Sequence, residues 1–79
     1  MASGALSFYK SVMLIIESEQ EEDGRWIAEV TALPGVMAYG ATKAEADAKV
    51  KALALRVIAD RLDNGEQLPR EIAAFFEAA

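Results

Sequence analysis

Residues 23–46 read DGRWIAEVTALPGVMAYGATKAEA, and the order of signals in this stretch decides the fold. Asp23-Gly24 is a pair favoured where a turn needs positive φ, and it stands between two strand-like runs. From Arg25 to Thr31, Trp26, Ala28 and Val30 alternate with Ile27, Glu29 and Thr31, so a strand here has one apolar face and one wetter face. Leu33-Pro34-Gly35 supplies proline at the second and glycine at the third position of a type II turn. The next apolar run, Val36 to Tyr39, predicts a third strand. Gly40 then releases the chain, and Thr42 with Glu45 has the spacing of a capping box, which predicts a helix from Lys43.

Upstream, Ser11 to Glu19 (SVMLIIESE) is rich in β-branched residues and predicts the first strand, with Val12, Leu14 and Ile16 on one face. Gln20 to Gly24 closes a hairpin between it and the strand that follows. Met1 to Lys10 has no clear period and reads as a leader, leaving residues 11–79 as one domain. Downstream, Lys43 to Asp63 contains no Gly or Pro and predicts one long helix that stops at Asn64-Gly65. On a helical projection Val50, Leu53, Leu55, Val57, Ile58 and Leu62 spread over roughly 200°, wider than the ~100° stripe that one sheet contact covers. The helix has more apolar surface than one sheet can bury. Val50, Leu53, Val57, Ile58 and Leu62 are therefore the candidate packing and dimer face, while Glu45, Lys49, Arg56, Asp60 and Asp63 lie on the arc left for water. In the tail, Pro69 to Ala79, helical and strand spacing fit equally well.

A chain of 79 residues fits a single domain. At that size only about 60–65% of the unfolded surface is buried, so self-association would add stability, and a homodimer or higher oligomer is expected. The net charge of −5 argues against direct nucleic-acid binding and suits a basic protein partner, whose potential would steer encounter. Cysteine is absent, which removes disulfides, thiolate nucleophiles and thiolate zinc sites and suits a cytoplasmic chain. Histidine is absent too, which removes the Ser-His-Asp triad, the imidazole general base and ordinary His-ligated metals. The longest apolar run, Val12 to Ile16, is far short of the roughly 20 residues that cross a bilayer.

What chemistry remains rests on carboxylates. Glu17, Glu19, Glu21, Glu22 and Asp23 cluster around the first hairpin, where they could do acid/base work or hold magnesium, but charges at an exposed turn are expected to be solvated, to deter edge-to-edge pairing, or to meet a basic partner. Trp26 beside them is open to two readings, as core packing or as an interface anchor, and Tyr39 shares that ambiguity. The helix cations Lys43, Lys49, Lys51, Arg56 and Arg61 are interleaved with acids and form no basic stripe. Gly35 and Gly40 match no phosphate-binding loop, and no cofactor is expected.

The acidic hairpin, the strand Arg25-Trp26-Ile27-Ala28-Glu29-Val30, Leu33-Pro34-Gly35, Gly40-Ala41-Thr42 and the helix with Glu45-Ala46, followed by Asn64-Gly65-Glu66 and Pro69, resemble the HicB-like antitoxin family from about Val12 onward. The resemblance implies an α+β domain of β-β-β-α-β order, similar to a reduced ribonuclease H fold, with residues Ala73 to Ala78 as a last strand beside the first. It also implies a partner, a small basic HicA-like ribonuclease toxin. The chain ends too early for the C-terminal DNA-binding module that many such antitoxins carry, so operator binding is not expected. The expectation is thus a non-catalytic antitoxin-type protein whose partner contacts come from Glu17, Glu19, Glu21, Glu22, Asp23 and Trp26. The alternative is an orphan module of the same fold, homo-oligomeric and accessory to some other protein partner.

Overall fold

A computed structural model describes residues 14–74 and 76. The leader at residues 1–10, and Val12 of the first predicted strand, lie outside them. Three strands, β1 (Ile16–Gln20), β2 (Trp26–Val30) and β3 (Met37–Gly40), form an antiparallel sheet in the order β1-β2-β3. The long helix α1 (Lys43–Asp63) covers one face of that sheet, and a four-residue helix, α2 (Arg70–Ala73), follows. This is an α+β fold, a three-stranded sheet packed against one long helix.

Each connection follows from local chemistry. Glu21 and Arg25 close the first hairpin, the Glu21 N–H donating to the Arg25 carbonyl at 2.7 Å, with Gly24 at φ 92° between them. In the second turn the Val36 N–H donates to the Leu33 carbonyl, and Gly35 sits at φ 86°, the left-handed value that the third position of a type II turn requires. Thr42 caps α1: its hydroxyl accepts the Glu45 N–H at 3.1 Å, while the Glu45 carboxylate reaches back to the Ala41 N–H at 2.6 Å. At the other end the Gly65 N–H donates to Leu62 and the Glu66 N–H to Arg61, the paired bonds of a Schellman stop.

The core lies between the sheet and α1. Ala28 and Val30 of β2, Leu33 and Val36 of the second turn, and Ala46, Val50, Ala54 and Ile58 of α1 are buried together with Ile72. Leu14, Ile16, Trp26, Ala38, Leu53 and Val57 pack partly buried against them. Gly40 allows α1 to begin this close to the sheet, because a Cβ there would lie 2.5 Å from the Ala46 nitrogen. A polar link ties the layers: the Ser18 hydroxyl of β1 donates to the Asp47 carboxylate of α1, which also takes the Lys43 ammonium at 2.8 Å.

The expected fourth strand does not form at the described positions. Ala73 ends α2, Ala74 caps it in the right-handed helical region, and Phe76 donates back to the Ala73 carbonyl; Phe75, Glu77 and Ala78 lie outside the described residues. Pro69 opens the turn, Ile72 finds a buried site in the core from a helical position, and the alanines favour helix. Local propensity and one buried side chain decide the conformation here.

Candidate functional site

The face of the sheet turned away from α1 is the candidate site. In β1 the residues Ile16 and Ser18 face the helix, so Glu17 and Glu19 project from the opposite side. In β2, Trp26, Ala28 and Val30 face the helix and leave Ile27 and Glu29 on the open side; in β3, Met37 and Tyr39 join them. Register then sets two rows across the open face, Glu17–Glu29–Met37 and Glu19–Ile27–Tyr39. Met37 and Tyr39 are each 41% exposed, large values for side chains of this size in a sheet. Glu17, Glu19, Ile27 and Glu29 line a shallow depression of about 210 Å³ between the rows.

No carboxylate of this face has an ion pair among the described residues. A cation, Arg25, stands at the rim. Arg25 lies 4.4 Å from the Tyr39 ring centroid, a cation–π contact, and its Nε donates to Asp23 at 2.7 Å. The Arg25 backbone N–H, and after it the guanidinium, hold the Asp23 carboxyl below its ordinary range. Arg25 is therefore occupied by Asp23 and Tyr39, and Glu17, Glu19 and Glu29 have no ion pair among the described residues.

The structure divides the residues predicted for partner binding. Glu17 and Glu19 stand on the open face, and Glu21, Glu22 and Asp23 sit in the hairpin at its end. Trp26 is on the other face, half-buried against the core, so it packs α1 to the sheet. Glu29 and Met37 complete the open face and were not among the predicted contacts. The alternation of β2 places Glu29 beside Ile27, and the length of the hairpin loop sets the register that brings it to Glu17. Of the predicted helix face, Val50 and Ile58 are buried, Leu53 and Val57 are partly buried, and Leu62 remains 49% exposed.

Among the described residues no group of three or more acidic side chains is placed to hold a metal ion. None of their helices is long and apolar enough to cross a membrane. Compared with models of known protein families, with curated proteins and with solved structures, the chain matches none.

Proposed function

We propose that this chain is a non-catalytic binding protein of the HicB-like antitoxin kind, which lays the open face of its sheet over the basic surface of a small HicA-like ribonuclease and neutralises it. The observation that carries the reading is the composition of that face: Glu17, Glu19 and Glu29, with no ion pair among the described residues, stand beside Ile27, Met37 and Tyr39. Carboxylates with no ion pair among the described residues give up none there when a lysine or arginine meets them, and the apolar side chains between them bury area on contact. The net charge of −5 adds long-range attraction to a basic protein. The β-β-β-α order of the described residues is the first part of the β-β-β-α-β order expected for such a protein and is compatible with the same reading. Co-expression with a small basic ribonuclease of HicA type tests it: restored growth is expected, and growth arrest that persists with the chain well expressed counts against it.

A second reading, an orphan homo-oligomeric module with another protein partner, is favoured by one feature of α1. Ala48, Ala52, Leu55, Ala59 and Leu62 follow one another in steps of four and three residues along a side of the helix outside the buried core, and Leu55 is 65% exposed. That spacing is the seam of a helix pair, which a second copy would cover. Dimer formation is compatible with both readings, and the co-expression experiment separates them.

A further inference from the structure

Hydrogen bonds alternate along an antiparallel ladder, so half of an edge strand's backbone groups point away from the sheet. The Thr31 N–H donates to the Ile15 carbonyl and the Glu21 N–H to the Arg25 carbonyl, which makes Ile15, Glu17, Glu19 and Glu21 the residues bonded toward β2. The N–H and C=O groups of Ile16, Ser18 and Gln20 point outward, and no strand among the described residues pairs with them. Beside this edge the helix leaves apolar surface open. α1 lies mainly over β2 and β3 and meets β1 least. A groove of about 250 Å³ results, lined by Leu14, Ile16, Val30, Lys51, Ala54 and Leu55. A further strand laid along β1 would find donors and acceptors for its backbone and a trough for every second side chain.

We infer that the outer edge of β1 is a strand-addition site for an extended segment of a protein partner in which apolar residues alternate with lysine or arginine. The inference rests on the reading of the chain as a cover for a basic protein and gives that reading its mode of contact. Apolar side chains of the added strand enter the groove beside Ile16 and Leu55, and the residues between them project onto the open face, opposite Glu17 and Glu19. Charge selects the occupant. A second copy paired antiparallel about Ser18 would set Glu17 against Glu19 of the other copy, and pairing about Gln20 would set Glu19 against Glu21, so the edge repels itself. A lysine or arginine at those positions turns each repulsion into an attraction.

The test uses the full chain and a synthetic peptide of alternating lysine and valine, with a control peptide of the same composition in which the lysines and valines form separate blocks. Amide exchange by NMR and peptide affinity are read together. In the free protein the Ile16, Ser18 and Gln20 amides exchange fast, and the alternating peptide protects them. Its affinity exceeds that of the block peptide by about tenfold or more, the scale of two or three favourable cross-strand pairs. Ser18→Pro removes an outward-facing N–H that makes no bond to β2 and abolishes this preference, whereas Ser18→Ala keeps it. Slow exchange at the three amides in the free protein would mean that the edge is already paired, and would overturn the inference. So would equal affinity for the two peptides, or perturbation of Ile27 and Tyr39 with the edge amides untouched; both outcomes leave the basic-partner reading standing. Failure of both peptides to bind removes that reading as well. If Ser18→Pro does not fold, exchange in the unmodified chain carries the test.

Discussion

Glu17 and Glu29 are Cα partners across β1 and β2, and both project from the open face of the sheet with no ion pair among the described residues. Like charges directly opposite each other on a sheet are destabilising, and folds retain such conflicts where function uses them. Relieving this one should stabilise the isolated chain: Glu29→Gln is expected to gain about 0.2–1 kcal/mol in urea unfolding, with the gain shrinking as salt is added. An unchanged or lowered stability at low salt would show that the two carboxylates do not oppose each other.

Gly40 brings the end of β3 close against the first turn of α1 at Ala46. A Cβ at position 40 meets the Ala46 nitrogen at 2.5 Å and the Glu45 carbonyl carbon at 3.0 Å, both of them backbone atoms that no rotamer change can move. Gly40→Ala should therefore destabilise the chain by about 1–3 kcal/mol through displacement of the first turn of α1. Thermal unfolding checks this, and a melting temperature equal to that of the unmodified chain would contradict the packing described.

Asp47 gives the sheet–helix link a pH dependence. Its side chain is 20% exposed, and the Lys43 ammonium, followed by the Ser18 hydroxyl, holds the carboxyl below its ordinary 3.8. With the folded value depressed, the unfolded chain binds the proton more readily. The stabilisation is therefore present above the unfolded value and is lost as pH falls through the folded one. Asp47→Asn should be less stable than the unmodified chain at neutral pH, with the gap closing below pH 3.8. The difference between the two proteins is the quantity to follow, since Asp23 is also lowered and titrates in the same window. A gap that stays constant into strong acid would show that the Asp47 charge plays no part.

The two sides of α1 predict opposite consequences for the same kind of change. Val50 is fully buried against the sheet, so Val50→Asp places an unpaired carboxylate in the core and should unfold a domain whose whole stability is on the order of 5–10 kcal/mol. Leu55 and Leu62 are 65% and 49% exposed, so Leu55→Glu with Leu62→Glu should leave the fold intact and shift sedimentation equilibrium toward monomer. A double variant that sediments as the unmodified chain does would exclude the outer stripe as the contact between copies.

Much of this architecture was legible from the chain because its punctuation is strong. Asp23-Gly24, Leu33-Pro34-Gly35, Thr42 with Glu45, and Asn64-Gly65 each permit few backbone conformations, and each falls at the expected boundary. The segment after Pro69 was not legible, because Arg70 to Ala74 carries no comparable signal and is decided by where Ile72 finds cover. The open face was read only in part. Glu17 and Glu19 are visible as a cluster in sequence, but Glu29, Met37 and Tyr39 join them through register, a property of paired strands that a one-dimensional pattern does not display. Trp26 is open to two readings in sequence, and its alternation with Ala28 and Val30 settles it as core packing, on the other side from the acidic face.

The most direct trial is a titration of a small basic HicA-like ribonuclease with this protein, following RNA cleavage, beside a variant carrying Glu17→Gln, Glu19→Gln and Glu29→Gln. Stoichiometric inhibition by the unmodified chain is predicted, together with at least a tenfold loss of affinity in the variant, about 1.4 kcal/mol, that grows smaller as salt rises. Full-strength inhibition by a folded variant, or none by the parent, would contradict the assignment of the acidic sheet face as the binding surface.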